Sequence, residues 1–77
     1  MRTDFRRGMA VPYLRAWRES RVLTQDELAA KSGVSAGTIS AGEHGRPIQI
    51  PNIARLAKAL GVDRATLVHT PPESARP

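Results

Sequence analysis

The sequence has no cysteine, which excludes disulfides, thiolate metal sites and cysteine nucleophiles. Aromatic residues are scarce: Phe5, Tyr13 and Trp17, all near the N-terminus. No apolar run approaches the roughly 20 residues that a membrane-spanning helix needs. The opening MRTDFRRGMAVP is basic but carries no apolar signal-peptide core, so a soluble, cytoplasmic protein is expected. The alternating β-branched pattern of strands is missing, whereas Ala, Leu, Arg and Glu are plentiful, so the expected class is all-α. His44 and His69 have no ligand-type neighbours at metal-binding spacing. There is no Ser/His/Asp set and no phosphate-cradling glycine loop, and the acidic pair Asp26–Glu27 falls on a solvated helix face beside Lys31. Neither enzymatic activity nor a metal or cofactor is therefore expected.

What the sequence does have is positive charge. Twelve Lys and Arg against seven Asp and Glu give a net charge of +5 in 77 residues. One small domain of this charge suits a polyanionic partner, of which nucleic acid is the commonest. Charge kept only for solubility would look the same, so the local pattern has to decide.

Residues 1–11, with Arg2, Arg6 and Arg7 and no helical period, read as a flexible basic arm. Pro12 suits the first turn of a helix over about 12–21, in which Leu14, Trp17 and Arg18 share one face. Thr24 followed by Glu27 forms a capping box for a second helix, which Gly33 ends in the left-handed conformation. Val34 is the apolar residue of the turn, and Ser35 caps a third helix running to about His44, stopped by Gly45. Pro51 opens a fourth helix with Ile53, Leu56, Ala57 and Leu60 on one stripe, ended by Gly61. Asp63 starts a short fifth helix that buries Leu67 and Val68. The domain is thus expected over 12–69, with 70–77, TPPESARP, as a disordered tail.

Two short helices joined by a tight glycine-containing turn form a helix-turn-helix unit. The run T24-Q25-x-E27-L28-A29-x-x-x-G33-V34-S35-x-x-T38-I39-S40-x-x-E43-x-G45, followed by L56-A57-K58-A59-L60-G61-V62, resembles the phage-repressor-like, XRE-type helix-turn-helix family over residues 14–67. The resemblance implies a compact five-helix lambda-repressor-like bundle. It also implies a small DNA-binding transcriptional regulator, of repressor type, with its third helix in the major groove of double-stranded DNA.

The same resemblance assigns roles to residues. Thr24 and Gln25 would meet a phosphate at the start of the second helix, where free N–H groups and the helix dipole favour an anion. Gln25 resembles the family's phosphate-clamping glutamine, Ser35 would act similarly for the third helix, and Arg46 is placed like a loop contact to the DNA backbone. Arg18 and Glu43 match a structural ion pair tying the first helix to the end of the third. Leu28, Val34, Ile39, Leu56 and Leu60 are core by periodicity.

The sequence also departs from the family. Positions that usually read bases hold Ala36, Gly37 and Ala41, which cannot make bidentate contacts worth about 1–3 kcal/mol each. Thr38 and Ser40, with His44 near the end, remain to contact a base edge or phosphate. Gly42 stands where an aliphatic side chain is usual, and Trp17 is expected to fill the space above it. Val22 stands where a helix-ending glycine is common. Three readings of so bare a helix compete: specific DNA binding aided by the basic arm in a minor groove, nonspecific phosphate binding, and an antitoxin-like protein-interaction module. A homodimer, formed freely or only on DNA, would draw on the ends of the fourth and fifth helices, including Leu67 and Val68.

Overall fold

The computed structural model describes residues 8–73; Arg2, Arg6 and Arg7 of the expected arm lie outside them. Among the described residues five helices follow in order: α1 Leu14–Ser20, α2 Gln25–Ser32, α3 Ala36–Glu43, α4 Ile50–Leu60 and α5 Arg64–His69. The architecture is the expected all-α bundle. α2 packs against both α3 and α4, while α1 packs on α3 and α5.

The local signals act as their chemistry requires. Thr24 accepts from the Glu27 N–H while Glu27 accepts from the Thr24 N–H, completing the capping box. Ser35 and Asp63 cap α3 and α5 by accepting from the backbone N–H three residues on. Gly33 ends α2 at φ +80°. Pro12 precedes the first helix rather than joining it: the chain turns at residues 12–13, with Leu14 N–H donating to Val11 O, before α1 begins.

Three helices end in one hydrogen-bonding pattern, in which a residue at or just past the cap is left-handed and the next donates back to the last turn. At α3, Gly45 has φ +94° and Arg46 N–H donates to Ala41 O at 3.0 Å. At α4, Gly61 takes this conformation and Val62 N–H donates to Ala57 O at 3.0 Å. At α1, Leu23 N–H donates to Arg18 O at 3.2 Å, but the left-handed residue is Val22, at φ +57° and 88% exposed. A β-branched side chain there is strained.

The core is one cluster built from all five helices, the segment before α1, the α2–α3 turn and the α3–α4 loop: Val11, Leu14, Trp17, Leu28, Val34, Ile39, Ile48, Ile53, Leu56, Ala57, Leu60, Leu67 and Val68. Leu67 and Val68 are spent on it, which removes them from any dimer interface.

Both expected ends are shorter than composition suggested. Val11 is buried, and Met9 and Ile48 exchange N–H···O bonds of 2.9 Å each way in an isolated antiparallel bridge, so residues 8–11 are part of the fold. At the other end, Trp17 Nε1–H donates to Thr70 O at 2.8 Å and Pro72 is buried, so 70–73 pack on the bundle instead of forming a tail. Residues 74–77 lie outside the described part. Trp17 is therefore occupied away from Gly42. The side chain filling the space at Gly42 is Ile48, since a Cβ on Gly42 would collide with Ile48 Cδ1, lie 2.8 Å from its Cγ1 and 3.3 Å from Leu14 Cδ2.

Candidate nucleic-acid interface

α1, the start of α2 and the end of α3 are tied together by one charged network. Arg18 Nε donates to Glu43 Oε2 at 2.6 Å and its Nη2 to Oε1 at 3.0 Å, a two-pronged pair with side chains only 12% and 4% exposed. Arg18 Nη1 donates to Leu23 O at 2.8 Å, so each arm of the guanidinium fork is engaged. Burial pushes the Glu43 carboxyl up, but hydrogen bonds from Arg18 and Gln25, with the charges of Arg18 and Arg15, outweigh it and hold the group below its ordinary value. The Glu43 hydrogen bond raises Arg18 above its usual range against the opposing effect of burial. The pair joins α1 to the last residue of α3, which is the structural role expected for it.

Gln25 belongs to the same network. One N–H of its side-chain amide donates to Glu43 Oε1 at 3.1 Å, which holds the half-buried amide beside the end of α3. The spacing of the motif carried no sign of this, because it needs the C-terminus of α3 to lie against the N-terminus of α2. Thr24 is exposed and serves as the cap. The first-turn N–H groups of Gln25 and Asp26 have no intrahelical acceptor.

In α3 the helical period puts Ile39 and Gly42 on the buried side and Gly37, Ser40, Ala41 and His44 on the opposite one. Gly37 and His44 are exposed, whereas Ala36, Thr38, Ser40 and Ala41 are partly so. Ser35 Oγ accepts from Thr38 N–H at 3.1 Å and donates to Thr38 Oγ1 at 2.9 Å. This arrangement leaves the Thr38 hydroxyl proton to point at an outside acceptor. His44 Nδ1–H donates to Ser40 O at 2.7 Å, which folds the ring back over the last turn. Arg46 is exposed just beyond α3, with its backbone fixed by the bond to Ala41. The two α3 glycines differ: Gly42 is needed by Ile48, whereas a Cβ on Gly37 would meet nothing within 4 Å.

Among the described residues no group of three or more His, Asp or Glu could hold a metal ion, and no helix is long and apolar enough to cross a membrane.

The fold and this arrangement define a helix-turn-helix DNA-binding domain. A helix-turn-helix family model matches residues 14–67, and the chain belongs to that XRE-type family. It is similar to the restriction-modification controller protein C.AhdI from Aeromonas hydrophila, at 34% identity over 71% of this chain and 85% of that one, with a TM-score of 0.68. The hypothetical transcription factor NHTF from Neisseria is 35% identical over 80% of this chain and 71% of its own, also with a TM-score of 0.68. The fold is shared with the SinR/SinI protein complex at 23% identity over 88% of this chain and 68% of that one, TM-score 0.71. No curated protein matches the sequence.

Proposed function

We propose that this DNA-binding regulator lays the Gly37–Ser40–Ala41–His44 side of α3 in the major groove and acts by occupying DNA rather than by catalysis. The observation carrying this reading is the outward side of α3: it is free of the core and flanked by Thr24 and Arg46, while its buried side is locked by Glu43 to Arg18. The backbone N–H groups of Gln25 and Asp26 would meet one phosphate, and those of Ala36 and Gly37 above the Ser35 cap another. The Asp26 carboxylate on the first of these turns opposes an anion, so Arg46 supplies the main charge contact. Gln25 steadies Glu43 with one amide N–H, which leaves its second N–H to meet a phosphate.

Specificity rests on the donor hydroxyl of Thr38, the Ser40 hydroxyl, methyl contacts from Ala36 and Ala41, and DNA shape. Gly37 lets the helix backbone approach closely, since nothing among the described residues requires glycine there. Two copies on half-sites about one turn, roughly 34–36 Å, apart would give the footprint that one module lacks. The bareness of Ala36, Gly37 and Ala41 favours a second reading, binding through phosphates with little sequence preference.

A titration on random and genomic fragments at two salt concentrations separates these readings. Specific regulation gives a preferred site above background, and Thr38→Ala then changes the ranking of sites while Arg46→Ala weakens all of them alike. Phosphate-only binding gives no preferred site and a log–log salt slope of about −0.9 per neutralised phosphate. Weak binding to every fragment would reject both and leave a protein partner as the function.

A further inference from the structure

The segment Thr70–Pro71–Pro72 lies on α1 in a manner that the DNA-facing side does not explain. Thr70 is extended, at φ −128° and ψ 125°. Each residue preceding a proline is biased to extended backbone, and each proline ring fixes its own φ. The segment is thus preorganised and rich in acceptors, because neither proline has an N–H. α1 supplies what such a segment lacks. Trp17 Nε1–H donates to the Thr70 carbonyl at 2.8 Å, and Pro72 is fully buried. The Arg21 guanidinium stacks over the Trp17 ring at 5.2 Å, and its Nε donates to Leu60 O at 2.9 Å, which pins it in place. A cleft of about 570 Å³ lined by Trp17, Ser20, Arg21, Pro72 and Glu73 continues past the last buried proline.

A tryptophan N–H that holds a short proline-bearing strand by its carbonyl, in a cleft that its ring shares with the buried proline, uses a donor of the kind by which proline-rich peptides are recognised. We infer that the Trp17–Arg21 side of α1 is a binding site for an extended segment with two consecutive prolines, filled in this protein by its own Thr70–Pro72. The strap is held in cis, at an effective concentration on the order of millimolar. A proline-pair segment of another chain would therefore compete only when the strap is released.

Trp17 is the single tryptophan, so its fluorescence reports the site directly. In the full chain, Pro72→Gly should keep the helical circular dichroism while red-shifting the Trp17 emission and increasing its quenching by acrylamide. Adding the peptide Thr-Pro-Pro-Glu-Ser to that variant should reverse both changes saturably in the millimolar range, and Thr-Gly-Gly-Glu-Ser should not. If Pro72→Gly fails to fold, Pro72→Ala carries the same comparison. Emission and quenching equal to the parent's would overturn the inference. So would an exposed Trp17 that the proline peptide leaves unchanged, which would make the strap mere chain packing.

Discussion

Replacing Gly42 by alanine tests how the recognition helix is seated. By helix propensity alone the change should help, by about 1 kcal/mol. The new methyl, however, would collide with Ile48 Cδ1 and lie 2.8 Å from Cγ1, with Leu14 Cδ2 at 3.3 Å. Rotating the terminal methyl of Ile48 clears only the first contact. Moving Cγ1 needs a new rotamer or a shift of a backbone held to Met9 by two 2.9 Å hydrogen bonds. Overpacking of this kind costs about 1–3 kcal/mol, and the rigidity of Ile48 points to the upper half of that range. The net loss should be about 1–2 kcal/mol, lowering the melting temperature of a domain this size by about 5–15 °C. Gly37→Ala is the internal control: it gains the same propensity without meeting anything within 4 Å, so its melting temperature should rise by about 4–8 °C. In the background of Gly42→Ala, Ile48→Val removes the colliding methyl and should cost less than it does alone. Thermal melts followed by circular dichroism decide the matter. A Gly42→Ala protein melting at or above the parent would show that Ile48 does not occupy that space.

Glu43→Ala should cost about 3 kcal/mol or more, because it strands the nearly buried guanidinium of Arg18; an unchanged melting curve would refute the pairing. The held-down Glu43 carboxyl makes stability depend on pH. Its contribution is complete above its ordinary value of 4.5 and is lost as pH falls through the lower folded value. Urea titrations between pH 7 and pH 3 should therefore show a smaller decline for Glu43→Gln than for the parent. Val22→Gly should raise the melting temperature by about 4–8 °C, since it relieves an exposed β-branched residue at φ +57°; a fall would refute the strain. On DNA, Gly37→Ala should bind more weakly despite its higher melting temperature, as a gel-shift titration would reveal.

Much of the fold was legible because its signals are local. Thr24 with Glu27, Ser35, Gly33 and Gly61 announce helix ends through groups that lie within four residues of each other. The ion pair of Arg18 and Glu43 could be placed from the family resemblance. What the pattern missed was set by contacts between distant residues. The bond from Gln25 to Glu43 could not be read from the motif, because only the folded chain brings together two residues 18 apart. Bulk alone makes Trp17 the filler for Gly42, yet Ile48, in a loop with no periodicity to read, occupies that space while Trp17 turns to Thr70, 53 residues on. Residues 8–11 and 70–73 looked like loose ends because composition does not reveal a two-residue bridge or a buried proline.

By itself, then, the sequence determined the five helices, their caps, the positive charge and the family, all of which depend on short-range geometry or on spacing. Tertiary structure decided that Val11 and Ile48 complete the core, how the chain ends are tied down, and which polar groups remain exposed. The physical reason is that hydrogen bonds and packing across the bundle choose among partners that local sequence leaves equivalent. Each choice commits a donor or fills a volume that local sequence leaves open.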